Sequence, residues 1–188
     1  SMLPAVAYYV ADARDELRRD VAPRAGGPPT DHRLWTSKTT LIIVPKLLIN
    51  QWIEEINKHT HRDTLQVRVC HTNAELQGLA VPDVVRLDVL LVAHSSMRQE
   101  FRNGCRWTAG GEQKALDQVR PSVLNSIRFR RIIVDEGHTM GRVMTAQTRF
   151  VHGLVAEMRW VCSGTPFPGT TLVRQLDHLH SILTFLRV

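Results

Sequence analysis

The segment that most limits what this chain can fold into is Arg131-Ile132-Ile133-Val134-Asp135-Glu136-Gly137-His138. Three consecutive β-branched aliphatics read as a short strand buried on both faces, as in a parallel sheet covered by helices. The strand stops abruptly at two carboxylates and a glycine. In open α/β sheets ligands bind in the crevice outside the carboxyl ends of the strands. An acid placed there can hold a hydrated Mg²⁺, and its neighbour can orient or polarise a water attacking a phosphate. Gly137 allows a sharp turn that keeps His138 near the same edge. An ordinary strand end whose acids cap the next helix would look the same in isolation, so the rest of the chain has to decide.

Apolar runs alternate with helical patterns on both sides of that segment. Residues 4–21 carry Val6, Val10, Leu17 and Val21 near helical spacing, with Pro4 at a tolerated start. Ala25-Gly26-Gly27-Pro28-Pro29-Thr30 reads as a loop or linker. Its paired glycines are not followed by Gly-Lys-Ser/Thr, whose lysine and hydroxyl a phosphate loop needs, so that reading is rejected. Residues 39–44 form a strand stopped by Pro45, and residues 46–59 an amphipathic helix. Leu48, Trp52 and Ile56 make its apolar stripe, and core packing is the better reading of all three.

Residues 65–70 alternate as a strand with one polar face, ending at His71-Thr72. Residues 73–87 read as helix and loop around Pro82, and residues 88–93 as a fully buried strand followed by His94-Ser95-Ser96. Those hydroxyls can cap a helix or face a phosphate backbone, and the cap is the simpler local reading. Residues 98–127 are polar and irregular: a surface excursion, a helix from Glu112 to Val119, a break at Pro121 and a helical turn to Ile127. A helix from Thr145 to Glu157, a strand from Arg159 to Cys162 and a helix from about Thr171 to Leu186 complete the chain. Leu172, Leu176, Leu179, Leu183 and Leu186 follow helical spacing in the last of these.

At least five strand–helix alternations predict an α/β fold with a parallel sheet and helices on both faces. Right-handed crossovers bring the strand ends to one edge. That edge collects Pro45-Lys46, His71-Thr72, His94-Ser95, Asp135-Glu136 and Ser163-Gly164-Thr165. Sharing an edge is a physical reason to treat these clusters as one site.

Composition narrows the partners. The 188 residues carry a net charge of +6, which permits a polyanionic partner without requiring one. The basic runs at Arg14 to Arg24 and Arg128 to Arg131 read as solvated faces. Cys70, Cys105 and Cys162 have no Cys-x-x-Cys spacing, which argues against a zinc site or a disulfide framework and fits a reducing compartment. No apolar run approaches a membrane span and no signal peptide is visible. Ser1-Met2 reads as an expression scar, so the chain is expected to be a piece of something longer.

With these residues in place the chain resembles the first RecA-like lobe of the SNF2 family of DNA translocases, within helicase superfamily 2. Leu41 to Pro45 through Gln51-Trp52-Ile53-Glu54-Glu55 resembles motif Ia, Asp88 to His94 motif Ib, Ile132 to His138 motif II (the Walker B element), and Arg159 to Pro166 motif III. The Gly-His ending of motif II, Ser-Gly-Thr-Pro and the closing Phe185-Leu186-Arg187 resemble the subgroup of RING-bearing DNA-repair translocases. The resemblance covers about residues 38–188, with residues 1–37 as an N-terminal helix and Gly/Pro linker. It departs from the family in two ways: motif I, the phosphate loop, and the second lobe with its arginine are missing from these residues, and Phe167-Pro168-Gly169 stands where isoleucine and glutamine are frequent.

The resemblance implies the following roles. Asp135 holds Mg²⁺ through water, Glu136 polarises the attacking water, and His138 stands beside them as part of the catalytic motif. Ser163, Gly164 and Thr165 couple nucleotide state to the DNA-facing surface. Lys46, His94, Ser95 and Ser96 lie near the phosphates of double-stranded DNA. Mg²⁺ and ATP belong to a parent protein with both lobes, and neither is expected to bind this chain tightly or be turned over by it. Nuclear work and no membrane association follow from the same likeness. If the strand of the phosphate loop pairs beside Val134, its absence leaves a gap inside the sheet. Two alternatives stay open at this stage: a non-catalytic scaffold or DNA-docking module, and a lobe of a DEAH-type helicase, against which Gln51-Trp52 and Gly164 argue.

Overall fold

The computed structural model describes residues 34–61, 64–105, 115, 119–140, 145–164 and 171–187. The sequence-predicted helix at 4–21, the linker at 25–30 and the helix at 112–119 lie outside them, apart from residues 115 and 119. The described residues form one six-stranded sheet in which every pairing is parallel.

The strands and helices alternate along the chain. Strand β1 is Trp35–Thr36 and β2 is Thr40–Val44, followed by a 3₁₀ turn, Lys46–Leu48, and helix α1, Ile49–His59. Strand β3 (Val67–Cys70) leads into two short helices, α2 (Asn73–Gln77) and α3 (Val81–Val85). Strand β4 (Val89–Ala93) runs directly into helix α4 (His94–Gly104). A 3₁₀ turn at Val123–Ser126 opens β5 (Ile127–Asp135), which ends in another at Gly137–Met140. Helix α5 (Ala146–Gly153), strand β6 (Val155–Cys162) and helix α6 (Leu172–Leu186) follow.

Strand β5 lies between β6 on one side and β2 on the other, and β2 continues to β4 and then β3. Arg128 pairs with both Thr36 and Val155, so β1 sits on the same side of β5 as β2. The expected gap beside Val134 is therefore absent: Val134 pairs with Ile43 on one side and Val161 on the other. Among the described residues the sheet edges are β3 and β6, and β6 carries half-buried or exposed residues along its whole length. Any further parallel strand would have to join there.

Residues alternate between two cores, as the pleat requires. Leu41, Ile43, Leu90, Val92, Ile132 and Val134 face a large core with Met97, Phe150, Val151 and Phe185 from the helices. Ile42, Val44, Leu91, Ala93 and Ile133 face a smaller core with Ile49, Trp52 and Ile56 of α1. Helices cover both faces of the sheet, and β2 and β4 are buried at every residue. Each fully buried aliphatic side chain contributes about 1.5–3 kcal/mol, far more than an exposed ion pair. The sheet is held mainly by these two layers.

Several features differ from the sequence expectation. The organising strand starts at Ile127, not Arg131, because Ile127 and Phe129 turn inward while Arg128 stays exposed. Arg131, expected on a solvated face, is only 6% exposed, since it lies where β5 is flanked on both sides. Helix α5 ends at Gly153, and the residues after it, including Glu157, belong to β6. Irregular chain is expected from residue 98, where the sequence is polar, yet α4 continues to Gly104, anchored by His94, Ser96, Met97 and Glu100 on the buried side. The leucine stripe of α6 faces largely outward, with Leu172, Leu176 and Leu183 exposed and Ser181 and Phe185 buried instead.

Candidate functional site

Parallel pairing puts all strand ends on one edge, and the register fixes their heights. Ile43 is level with Val134, Val44 with Ala93, and Asp135 with Cys162. Pro45, His94, Glu136 and Ser163 are each the first residue after their strand. The expected clustering of polar groups at this edge is a consequence of that register.

Asp135 is half-buried at the centre. Its Oδ2 accepts a hydrogen bond of 2.7 Å from the indole Nε1–H of Trp52. Its Oδ1 accepts one of 2.9 Å from the backbone N–H of Glu136. Trp52 is 3% exposed, so its ring is core as the sequence indicated, and its one polar atom points to the acid. That second role was invisible in the sequence, because an apolar stripe says nothing about which way an indole N–H faces.

The turn after the strand falls on Glu136, whose φ is 48°. A non-glycine residue in the left-handed region is strained by an amount on the order of 1–3 kcal/mol, and such residues cluster at functional sites. The conformation sends the chain into the Gly137–Met140 turn and brings His138 back over the edge. His138 Nδ1 lies 3.0 Å from Glu136 Oε2 and 3.1 Å from Ser163 Oγ. One ring nitrogen thus bridges the acid after β5 and the hydroxyl after β6. Glu136 and His138 keep 35% and 28% exposure, enough for solvent or a ligand to reach them.

His94 follows β4 and is 8% exposed. Its Nε2 is 3.2 Å from the backbone oxygen of Ile43, to which it donates. Burial holds its pKa below the ordinary histidine range, opposed by hydrogen bonds to the backbone of Ile43 and Asp135 and by the Asp135 charge. Next to Asp135 across the β5–β6 pair, burial and that same charge push the Cys162 thiol up.

The candidate residues therefore separate. Asp135, Glu136, His138 and Ser163 are brought together, and Gly164 follows them, exposed with open space around it. Thr165 lies outside the described residues. Lys46 and Ser95 are exposed, at the start of the turn after β2 and in the first turn of α4. His94 and Ser96 are buried, at 8% and 2% exposure, so neither side chain faces a phosphate backbone in this conformation. The expected cap by the Ser95 or Ser96 hydroxyl is also absent: Ala93 is the N-cap, with no side-chain cap bond, because α4 begins one residue after the strand. His71-Thr72 does form a cap. Thr72 Oγ1 accepts from Glu75 N–H and Glu75 returns a carboxylate to His71 N–H, which accounts for that polar cluster structurally.

The donor set at Asp135 and Glu136 suits a hard cation shared with phosphate oxygens. Both groups are carboxylates, and Mg²⁺ is held by one or two carboxylates while keeping waters and substrate phosphates. No group of three or more His, Cys, Asp or Glu residues that could hold a metal unaided occurs among the described residues.

An all-parallel sheet, helices on both faces and acids at a buried strand end define a RecA-like lobe. The same fold is found in the solved SWI2/SNF2 ATPase core of Sulfolobus solfataricus, described as in complex with dsDNA, at a TM-score of 0.57 and 18% identity over 94% of this chain and 27% of that one. The chain belongs to the SNF2-related domain family, whose model matches residues 14–188. It is 31% identical to the F-box protein At3g54460 of Arabidopsis thaliana, over 85% of this chain and 10% of that protein. It is 30% identical to DNA repair protein RAD5 of Saccharomyces cerevisiae (82% and 13%) and 30% to the helicase-like transcription factor of Oryctolagus cuniculus (80% and 13%). The chain thus spans about a tenth to an eighth of the length of these curated relatives. Membership of the SNF2 family agrees with the resemblance read from motifs Ia to III.

Proposed function

We propose that this chain supplies the Walker B acids and part of the DNA-tracking surface of an SNF2-type, ATP-dependent translocase on double-stranded DNA. The observation that carries the reading is the Glu136–His138–Ser163 bridge beside an Asp135 held by two donors. It joins motif II to motif III at the one edge where a parallel sheet receives ligands. A Mg²⁺ bound there with ATP supplies charge neutralisation on the phosphates. Asp135 orients that ion's water shell, and Glu136 polarises the water that attacks. His138 links the position of Glu136 to Ser163, so that a change at the nucleotide is felt at the strand end that leads on to Gly164 and Thr165. Lys46 and Ser95, both exposed at this edge, are the candidates for phosphate-backbone contact, which positions a motor without reading sequence. The net charge of +6 favours such a partner.

The relatives named for DNA repair support a role in remodelling protein–DNA complexes or forks in the nucleus. No helix among the described residues is long and apolar enough to cross a membrane. These 188 residues contain no Gly-Lys-Ser/Thr, so turnover needs a phosphate loop and a second lobe, and the chain alone is inactive. The reading is tested by ATP hydrolysis in the full-length protein that carries this chain, with and without nucleic acid. Stimulation by double-stranded DNA that falls with salt is expected. Stimulation by RNA alone would point to a DEAH-type motor, and no hydrolysis under any condition to a docking module.

A further inference from the structure

We propose that Trp52 is a positioning residue for Asp135: its indole N–H fixes the plane of the carboxylate that receives the divalent cation. The inference rests on the reading of Asp135 as the cation-holding acid and adds to it a residue on a different element, α1.

The argument starts from the torsion of an aspartate. Its χ2 joins an sp³ to an sp² carbon, so its energy well is broad and the carboxylate plane is poorly defined by the side chain itself. One donor anchors one oxygen and leaves the other to swing. Asp135 has two donors, one on each oxygen: Trp52 Nε1–H on Oδ2 at 2.7 Å and Glu136 N–H on Oδ1 at 2.9 Å. Together they define the plane. A carboxylate offers about four acceptor sites, so each oxygen keeps one for a cation or its waters.

The two donors are not equivalent. The Glu136 N–H is part of the same turn and moves with it. The indole is anchored elsewhere, in the smaller core against Ile49, Ile56, Ile42 and Val44. With 3% exposure it has no room to follow a moving acid. A buried indole N–H must find an acceptor, and this one takes a carboxylate where a backbone carbonyl would satisfy it equally. The neighbouring residue carries a left-handed backbone at φ 48°, so the acid lies next to a strained joint that an outside anchor would steady.

The test separates the N–H from the ring. Trp52→Phe keeps most of the buried surface and removes the donor, and Trp52→Leu removes both. Mn²⁺ binding in the presence of ADP is followed by electron paramagnetic resonance in the full-length protein carrying this chain. Removing an outer-shell partner of a metal ligand weakens metal binding about 10–100-fold, and a loss of that size is expected for both variants. The Mg²⁺ concentration for half-maximal ATP hydrolysis should rise in parallel, while metal-free ADP binding stays as in the wild type. A purely structural role would lower the melting temperature and leave the metal dependence alone, which would overturn the inference. If Asp135→Ala leaves Mn²⁺ binding unchanged, the reading of Asp135 fails instead. A measurement without any Trp52 variant guards against misfolding. In ¹⁵N-tryptophan-labelled chain, Asp135→Ala should shift the Trp52 indole resonance upfield more than the other three indoles, and no shift would remove the bond on which the inference depends.

Discussion

Glu136 and His94 show how single residues at this edge answer to the fold. The left-handed φ of 48° at Glu136 is strain that a glycine would relieve, yet the residue that follows the strand is a carboxylate. No sequence pattern announces it. An acid pair followed by glycine placed the turn at Gly137, and the backbone takes its left-handed step one residue earlier. The family resemblance implies a DNA contact for His94, which follows β4 directly. The same place buries it, because α4 starts at once and its first turn is pressed against β2 and Asp135. Burial lowers its pKa, and His152 shifts the same way through burial and the charges of Arg159 and His180. Below the unfolded value of about 6.5, the unfolded chain takes up protons that these folded histidines refuse, so stability is lost as pH falls through that range. Urea unfolding between pH 7.5 and 5 should show the decline, and His94→Gln should flatten it. An equally steep decline in the variant would mean that His94 is not a source.

At the scale of elements, composition and period carried most of the fold. The strands β2, β4 and the heart of β5 were legible because they are continuous aliphatic runs, which only a sheet covered on both faces can use. Helix α4 was not legible: its polar sequence holds together through Met97 and through packing against α5, which is tertiary information. The β5 extension to Ile127 was missed because alternating arginines looked like a charged surface. One joint that the sequence did not reveal lies between β1 and β2. Ser37 Oγ and Thr39 Oγ1 are 2.6 Å apart, and Thr39 Oγ1 reaches the backbone oxygens of Val84 and Leu87 at 2.8 and 2.9 Å. Asp88, 8% exposed, accepts from Lys38 Nζ at 2.7 Å and from Gln66 N–H at 2.8 Å. It ties the starts of β2, β3 and β4 together. Asp88→Ala should destabilise the chain by about 1–3 kcal/mol, since it removes the acceptor shared by the Lys38 ammonium and the Gln66 N–H where three strands start. Lys38→Ala should cost under about 1 kcal/mol, because Asp88 keeps the Gln66 N–H and an ion pair whose ammonium is 37% exposed contributes little. Chemical denaturation of both variants checks the ranking, and equal losses would contradict it.

At the scale of the whole molecule, the parallel register turns separate sequence clusters into one edge. This is why the acids, His138 and Ser163 are grouped by sequence alone, while the Trp52 anchor is not: it depends on how α1 lies across the sheet. The large core on one face and the α1 layer on the other hold that edge at fixed geometry. The interior of the sheet is complete around β5, and β6 is the edge beside the site. On the proposed reading this lobe presents carboxylates to a nucleotide gripped by other parts, which would make the acids necessary and these 188 residues insufficient. The most direct test is steady-state ATP turnover of three proteins: the full-length protein carrying this chain, the same protein with Glu136→Gln, and the 188-residue chain alone. The account predicts DNA-stimulated turnover in the first, a loss of about 10²–10⁴-fold with nucleotide binding retained in the second, and none in the third. Near-normal turnover by Glu136→Gln would contradict it.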